Sequence, residues 1–328
     1  MTSVGPLGTG MSGALAQSNG RRGTIDVALM VEGQNGLNWA RWQCLARAAE
    51  DLGFAGLYRS DHLANPQLPN LEALELWVSL TWLASHTRRI QFGPLVSPVS
   101  FRHPVITAWM AAAVDDLSGG RLQLGLGTGW TEREHAMYGF DLLPVQRRFT
   151  RLQEALEVIT RLLRCREPTS FSGEFYRLEG AALLPKPHRR NGPAIVVGGN
   201  GTRRALPLVA AYADEWNALY LTGARFAELN ARVDSLLEER GRRPNEVRRS
   251  LMTGLVFGVD DAAVRAKREG RTTTELQDRG MVFGTPPAVV DQLGHLAELG
   301  VQRVMLQWLE LDDLAGLEAL AVKVLPQL

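Results

Sequence analysis

Lysine is nearly absent from this chain. Lys186, Lys267 and Lys323 are the only three among 36 basic residues, so arginine carries almost all the positive charge. That charge is not in excess. Thirty-five acidic residues leave a formal net charge of +1, which gives no electrostatic reason to expect nucleic acid or an anionic membrane as a partner. Cysteine is scarcer still. Cys44 and Cys165 fall in helical patterns without a CxxC partner, which favours a reduced, cytosolic compartment over a disulfide framework. No uninterrupted apolar run approaches the roughly 20 residues of a membrane span. Residues 1–23 lack a basic region followed by an apolar core, so they read as a disordered extension rather than a secretory signal. The folded unit is expected over 24–328.

Over that stretch, strand-like and helix-like segments alternate. Strands are expected at Ile25–Val31, Ala55–Tyr58, Ile90–Val96, Leu122–Leu126, Ala194–Val197, Glu215–Tyr220, Leu251–Gly258 and Val301–Leu306. Helices are expected between them, at Trp39–Leu52, about Glu72–Ser85, Val105–Leu117, Phe149–Arg164, Arg203–Tyr212, Ala224–Arg240, near Ala262–Arg268 and Pro287–Leu299, and at Asp313–Val324. Continuous apolar strands separated by amphipathic helices imply a parallel sheet covered by helices. Eight such units fit a closed (β/α)₈ barrel better than an open doubly wound sheet. Thr128–Arg148, Glu167–Pro193 and Arg271–Thr285 are too long for minimal connections, and the second contains a hairpin-like Phe171–Leu178. Long loops in compact domains are usually functional or disordered. Active sites of barrels gather at the C-terminal ends of the strands, so the residues after each strand are the candidates.

The stretch Arg121-Leu-Gln-Leu-Gly-Leu-Gly-Thr-Gly-Trp130 carries three glycines spaced two apart. Glycine lets another backbone or a flat ligand come close. A dinucleotide fingerprint would need its third glycine where Trp130 stands, so a Rossmann reading fails. Asp61 and His62 follow the second strand. Two readings stand for them: a proton-handling imidazole tuned by a carboxylate, or a capping aspartate beside a packed histidine. Gly198-Gly-Asn-Gly-Thr202 follows the fifth strand. It suits either an anion site at a helix N-terminus or a glycine turn with Thr202 as N-cap. The loop after the fourth strand supplies Thr128, Trp130, Glu132, Glu134, His135 and Tyr138. Glu132 and His135 have half of a di-iron spacing, but no second copy exists, so no metal is expected. Glu32 and Gln34 are further candidates for the pocket wall. His86, His188 and His295 lie away from the strand ends.

The ordered series Ser60-Asp61-His62, Ser100-Phe-Arg-His-Pro104, Leu117-Ser-Gly-Gly-Arg121, Gly125–Trp130, Arg147–Glu154, Gly198–Thr202 and Gly284-Thr-Pro286 resembles the luciferase-like flavin and deazaflavin oxidoreductases over about residues 24–326. Within that family it is most similar to the branch using coenzyme F420. The resemblance implies hydride transfer at the deazaflavin C5, with His62 handling the proton and Asp61 tuning it. It also implies a bulge behind the coenzyme ring at Pro94, Leu95 and Val96, often built on a cis non-prolyl peptide. Thr128 and the loop Gly198, Gly199, Asn200, Gly201 and Thr202 would hold the coenzyme, the loop taking its phosphate. Trp130, Glu132 and Tyr138 would face the substrate. Relatives that oxidise glucose 6-phosphate carry an acid where Trp130 stands and a lysine soon after strand six, where this chain has Leu221–Arg225. Both departures argue against that substrate and for a more apolar or planar one. The alternatives are an FMN-dependent monooxygenase and a coenzyme-binding barrel without catalysis. A homodimer is expected, built partly from the helices after strands two and three, where Trp77, Trp82 and Trp109 lie.

Overall fold

The computed structural model describes residues 25–328; the expected extension over 1–23 lies outside the described residues. From the N-terminus come β1 (Asp26–Val31), α1 (Trp39–Asp51), β2 (Gly56–Arg59), α2 (Leu76–His86), β3 (Gln91–Pro94), β4 (Ser97–Pro98), α3 (Pro104–Leu117) and β5 (Gln123–Gly127). Then follow α4 (Glu132–Tyr138), α5 (Val145–Arg164), the hairpin β6 (Thr169–Ser172) and β7 (Arg177–Ala181), β8 (Ala194–Gly198), α6 (Ala205–Tyr212), β9 (Glu215–Leu219) and α7 (Gly223–Glu238). The chain ends with β10 (Arg248–Phe257), α8 (Asp261–Lys267), α9 (Thr273–Asp278), β11 (Val282–Gly284), α10 (Pro286–Glu298), β12 (Arg303–Gln307) and α11 (Leu314–Val324).

The main sheet is parallel, in the order β3-β2-β1-β12-β10-β9-β8-β5-β4, with β11 added beside β10. Its two ends meet. A bridge joins Phe92 of β3 to Leu122, and β4, which continues β3 after a bulge, pairs Ser97 with Leu126 and Pro98 with Gly127. The chain is thus a (β/α)₈ barrel, as its alternating pattern implies. The large core lies between the strands and the helices, with Leu29, Leu57, Phe92, Leu124, Ile195, Trp216 and Leu306 pointing outward from the barrel into it. Alternate residues fill the barrel interior: Ala28, Met30, Tyr58, Val196, Met252 and Met305.

The two ends of the barrel differ in chemistry. At the N-terminal ends of the strands, the fully buried Arg303 guanidinium donates to Tyr58 Oη (2.8 Å), to Glu215 Oε2 (2.8 Å) and to the Gln91 amide oxygen. Burying a charge demands such partners, and this ion pair closes the floor. The C-terminal ends open into a cavity.

The glycines of β5 have a packing cause. A Cβ on Gly125 would stand 2.1 Å from the Pro94 carbonyl oxygen, and one on Gly127 would stand 2.3 Å from Val96 Cγ2. What comes close is the end of β3 and the bulge after it: the Pro94 backbone against Gly125 and the Val96 side chain against Gly127.

Several boundaries depart from the sequence pattern. α2 begins at Leu76 because the Glu75 carboxylate caps it, accepting from Val78 N–H (2.7 Å). α5 begins four residues earlier than Phe149. Two of the long connections contain structure of their own, α4 in one and α9 with β11 in the other.

Candidate active site

A cavity of about 350 Å³ opens at the C-terminal end of the barrel. Met30, Leu95, Val96, Pro98, Phe101, Trp130, Leu219 and Met252 give it apolar walls. Glu32, Gln34, Ser60, Asp61, His62, Glu134, His135, Tyr220 and Gln307 bring polar groups to it. This mixture, mostly apolar with a few convergent polar groups, is what ligand sites need for affinity and orientation.

His62 stands just past β2, after Ser60 and Asp61. Its Nδ1 lies 2.9 Å from Glu134 Oε2, so Nδ1–H donates to the carboxylate and Nε2 remains for other chemistry. Glu134 is fully buried, and its other oxygen accepts from the N–H groups of Leu63 and Ala64 (3.2 Å for Ala64). Burial alone would lower the His62 pKa. The Glu134 hydrogen bond and charge, with smaller contributions from Glu32 and Asp61, outweigh it and raise the value above 6.5. Burial alone would raise the Glu134 pKa, but the His62 bond and charge and the two amides bring it below its ordinary value. The Trp130 ring meets the imidazole edge to face at 5.6 Å.

Asp61 does not pair with His62. Its carboxylate accepts from Ser97 Oγ (2.7 Å) and takes both ends of the Arg102 guanidinium, which also donates to Glu75 Oε1 (2.9 Å). The carboxylate in contact with the histidine is Glu134; Asp61 acts on His62 only through its charge and, through Arg102, ties the end of β2 to the loop after β4 and to the start of α2. A bidentate arginine is the stronger claimant for a buried carboxylate.

A hydrogen-bonded chain runs along the opposite wall. Ser60 Oγ donates to Gln34 Oε1 (2.8 Å), Gln34 Nε2 to Glu32 Oε2 (3.0 Å), and Gln307 Nε2 to Glu32 Oε1 (2.6 Å), while the Tyr220 hydroxyl donates to the Gln307 amide oxygen. Tyr220 and Gln307 gave no sequence signal of their own, although both follow barrel strands.

The remaining expected residues divide. Leu95 and Val96 line the cavity and the peptide between them is cis, whereas Pro94 is buried behind them against Gly125. Of the expected substrate residues only Trp130 lines the cavity. Glu132 is exposed on α4, and Tyr138 is half exposed with its hydroxyl on the Leu63 carbonyl (3.4 Å). Glu132 and His135 do not converge, because His135 is held by Thr131 O and Ser100 Oγ (2.8 Å each). Thr128 is partly buried beside the cavity, with its hydroxyl on the Gly129 carbonyl (3.2 Å).

The loop Gly198–Thr202 lies next to the cavity rather than in its wall. Asn200 anchors it, donating to Leu219 O (2.7 Å) and accepting from Leu219 N–H (3.0 Å), and Leu219 does line the cavity. Gly199 has φ +129°, which an L side chain rarely adopts. The Gly201 carbonyl accepts from the N–H groups of Ala205 and Leu206. Thr202 does not cap α6; Arg204 occupies that position without a side-chain bond. Among the described residues, the N–H groups of Gly201, Thr202 and Arg203 meet no acceptor, which leaves them free for an anion.

Comparison with known proteins agrees with this architecture. Residues 24–275 match the family described as luciferase-like monooxygenase. An F420-dependent hydroxymycolic acid dehydrogenase of Mycobacterium tuberculosis is 33% identical over 236 residues, covering 71% of this chain and 64% of that protein. The matched stretch thus spans a little under two thirds of that relative. An F420-dependent glucose-6-phosphate dehydrogenase of Intrasporangium calvum is 27% identical over 318 residues, covering 85% of this chain and 92% of that one. Among solved structures, an F420-dependent secondary alcohol dehydrogenase with an F420–acetone adduct superposes with a TM-score of 0.81 at 15% identity, covering 93% of this chain and 99% of that one. With its barrel, its bulge behind β5 and its match over most of its length, the chain belongs to the luciferase-like monooxygenase family.

Proposed function

We propose that the protein is an F420-dependent oxidoreductase that moves a hydride between the deazaflavin and the carbinol or carbonyl carbon of a small organic substrate. The observation that carries this reading is the His62–Glu134 pair at the cavity wall: Nδ1–H fixed on a buried carboxylate, and Nε2 available to a proton. F420-dependent relatives by name support the choice of coenzyme. The residues also fit the group. Leu95 and Val96 offer a smooth apolar wall to a flat ring, and the free N–H groups at Gly201–Arg203 suit a phosphate. When bound, the deazaflavin would supply a two-electron hydride acceptor or donor, the chemistry side chains lack.

The protein's part is positional and electrostatic. In the oxidising direction neutral His62 takes the hydroxyl proton at Nε2, and Glu134 stabilises the imidazolium that results. In the reducing direction the imidazolium returns that proton to the carbonyl oxygen. Asp61 keeps the β2 end and the Arg102 loop in register beneath the pair. The assembly we propose is a homodimer across the outer faces of α2 and α3, where Val78, Ile106 and Trp109 are exposed. Two separate free cysteines suit a reducing, cytosolic setting. No helix among the described residues is long and apolar enough to cross a membrane.

Titration with the deazaflavin and FMN side by side tests the coenzyme. Tighter deazaflavin binding is expected. Equal or tighter FMN binding, with oxygen consumed when the FMN is reduced, assigns the chain to the monooxygenase reading instead. Tight deazaflavin binding without turnover of any alcohol or carbonyl compound would favour a barrel that binds without catalysis.

A further inference from the structure

The cavity is small for the work proposed for it. Its roughly 350 Å³ is near the lower end of ligand pockets, and a tricyclic coenzyme ring would have to share it. Only the reacting end of a substrate fits beside His62. Its lining also selects. The ionisable groups there are Glu32, Asp61, His62, Glu134, His135 and Tyr220, and no arginine or lysine lines the wall among the described residues. A phosphate or carboxylate close to the reacting carbon would face these carboxylates with no lining arginine or lysine to receive it, since Arg102 is already engaged by Asp61 and His62 by Glu134.

The cavity wall at Trp130 leads to α4 and to the loop after β2, which both expose large apolar side chains. Trp130 is 61% exposed although its ring touches His62. Met137 and Tyr138, one helical turn and more further along α4, are 42% and 48% exposed, and Leu68 on the facing loop after β2 is 75% exposed. These side chains do not hang on loose segments. Arg133 of α4 donates to Asn65 O (2.6 Å) and Asn70 Oδ1 (2.8 Å), Glu134 takes the Leu63 and Ala64 amides, and Tyr138 reaches Leu63 O. Asn65 in turn donates to Gln34 O (3.0 Å) at the cavity wall. A rim clamped this firmly, which carries exposed apolar side chains and joins the cavity at Trp130, has the character of a binding surface.

We infer that the substrate is an alcohol or ketone at the end of a long apolar chain, its reacting carbon beside His62 and its chain lying over the rim of Trp130, Met137, Tyr138 and Leu68. The inference rests on the F420 reading. In oxidation the carbinol C–H bond breaks with its electron pair passing as hydride to the deazaflavin, the O–H proton goes to His62, and the C=O bond forms; the reduction is the reverse.

A series of alkan-2-ols from three to twelve carbons, assayed with the deazaflavin and the full-length protein, tests it. Burying a methylene is worth about 0.8 kcal/mol, or up to roughly fourfold, so kcat/KM should rise about two- to fourfold per carbon until the rim is covered. Met137→Ser and Leu68→Ser should flatten that slope for the longer alcohols. A slope of zero across the series, or glucose 6-phosphate turned over faster than every alcohol, overturns the inference. So does a protein that binds the deazaflavin and turns over no alcohol or ketone, an outcome that leaves the coenzyme assignment standing. Failure to bind the deazaflavin removes the reading beneath it as well.

Discussion

Replacing Glu134 with glutamine changes one atom and reverses the logic of the histidine. Glu134 Oε1 holds the Leu63 and Ala64 amides while Oε2 faces His62 Nδ1. In Glu134→Gln the amide oxygen can keep both N–H groups, which leaves the amide nitrogen, a donor, against Nδ1. Nδ1 must then accept, and the proton moves to Nε2, the nitrogen that should take a proton from an alcohol. Oxidation should fall by roughly 10²–10⁴-fold, the scale of losing a general base, with the fold and coenzyme affinity retained. The pH dependence should change with a definite sign. The wild-type His62 pKa is raised, and the base must be neutral, so alcohol oxidation rises as pH passes that value. With the Glu134 bond and charge gone, burial remains as the largest influence, so the rising limb should move toward lower pH in the variant, with a lower plateau. Initial rates across pH with a saturating alcohol, alongside an NMR titration of the imidazole, measure both effects. An unchanged limb and plateau in a folded Glu134→Gln protein would falsify the pairing as the source of His62 reactivity.

Further outcomes follow from the same geometry. His62→Ala should bind the deazaflavin nearly as wild type does in a fluorescence titration yet lose turnover by about 10²–10⁴-fold; near-normal turnover would make the residue structural. Gly201→Leu should weaken deazaflavin binding and spare thermal stability, since the nearest atoms to an added Cβ are 3.9 Å away and the side chain would block the N–H groups rather than the core. Unchanged affinity would move the phosphate elsewhere. Gly127→Ala forces a methyl against Val96 and should cost about 1–3 kcal/mol by overpacking, read as a lowered Tm that Val96→Ala partly restores. Light scattering at micromolar concentration should return a dimer, and Trp109→Arg with Ile106→Arg a monomer; a wild-type monomer refutes the proposed interface.

The barrel was legible because its evidence is periodic: buried strands read as apolar runs, and each helix shows its apolar stripe whatever its exact ends. The β5 glycines were legible as a close approach, and the bulge at Leu95 and Val96 supplies the approaching backbone. What escaped were features with no period. α4 has seven residues, and its two buried positions are Glu134 and His135 while Met137 and Tyr138 are exposed, so it shows no apolar stripe facing inward. Its buried face is made for His62 and Ser100, not for a core. The Tyr220–Gln307–Glu32 chain joins three strand ends far apart in sequence, and only closure of the barrel brings them together.

Asp61 illustrates the limit best, because adjacency in sequence suggested a pairing that distant partners pre-empt. Asp61 and His62 both lie in the loop just past the end of β2 and line the cavity, but Ser97 and Arg102 hold the Asp61 carboxylate while His62 turns to Glu134 of α4. Asp61 is 2% exposed and its partner arginine is held from a second side by Glu75. Removing one member of a buried ion pair costs about 3–5 kcal/mol, because the other charge is left without compensation; the remaining Glu75 contact places Asp61→Asn toward the lower figure. Urea denaturation should show that loss. The position of the pH limb should move little, since the carboxylate touching His62 is intact. A variant of wild-type stability whose limb shifts as far as that of Glu134→Gln would return the tuning role to Asp61 and make Glu134 a support for the loop after β2.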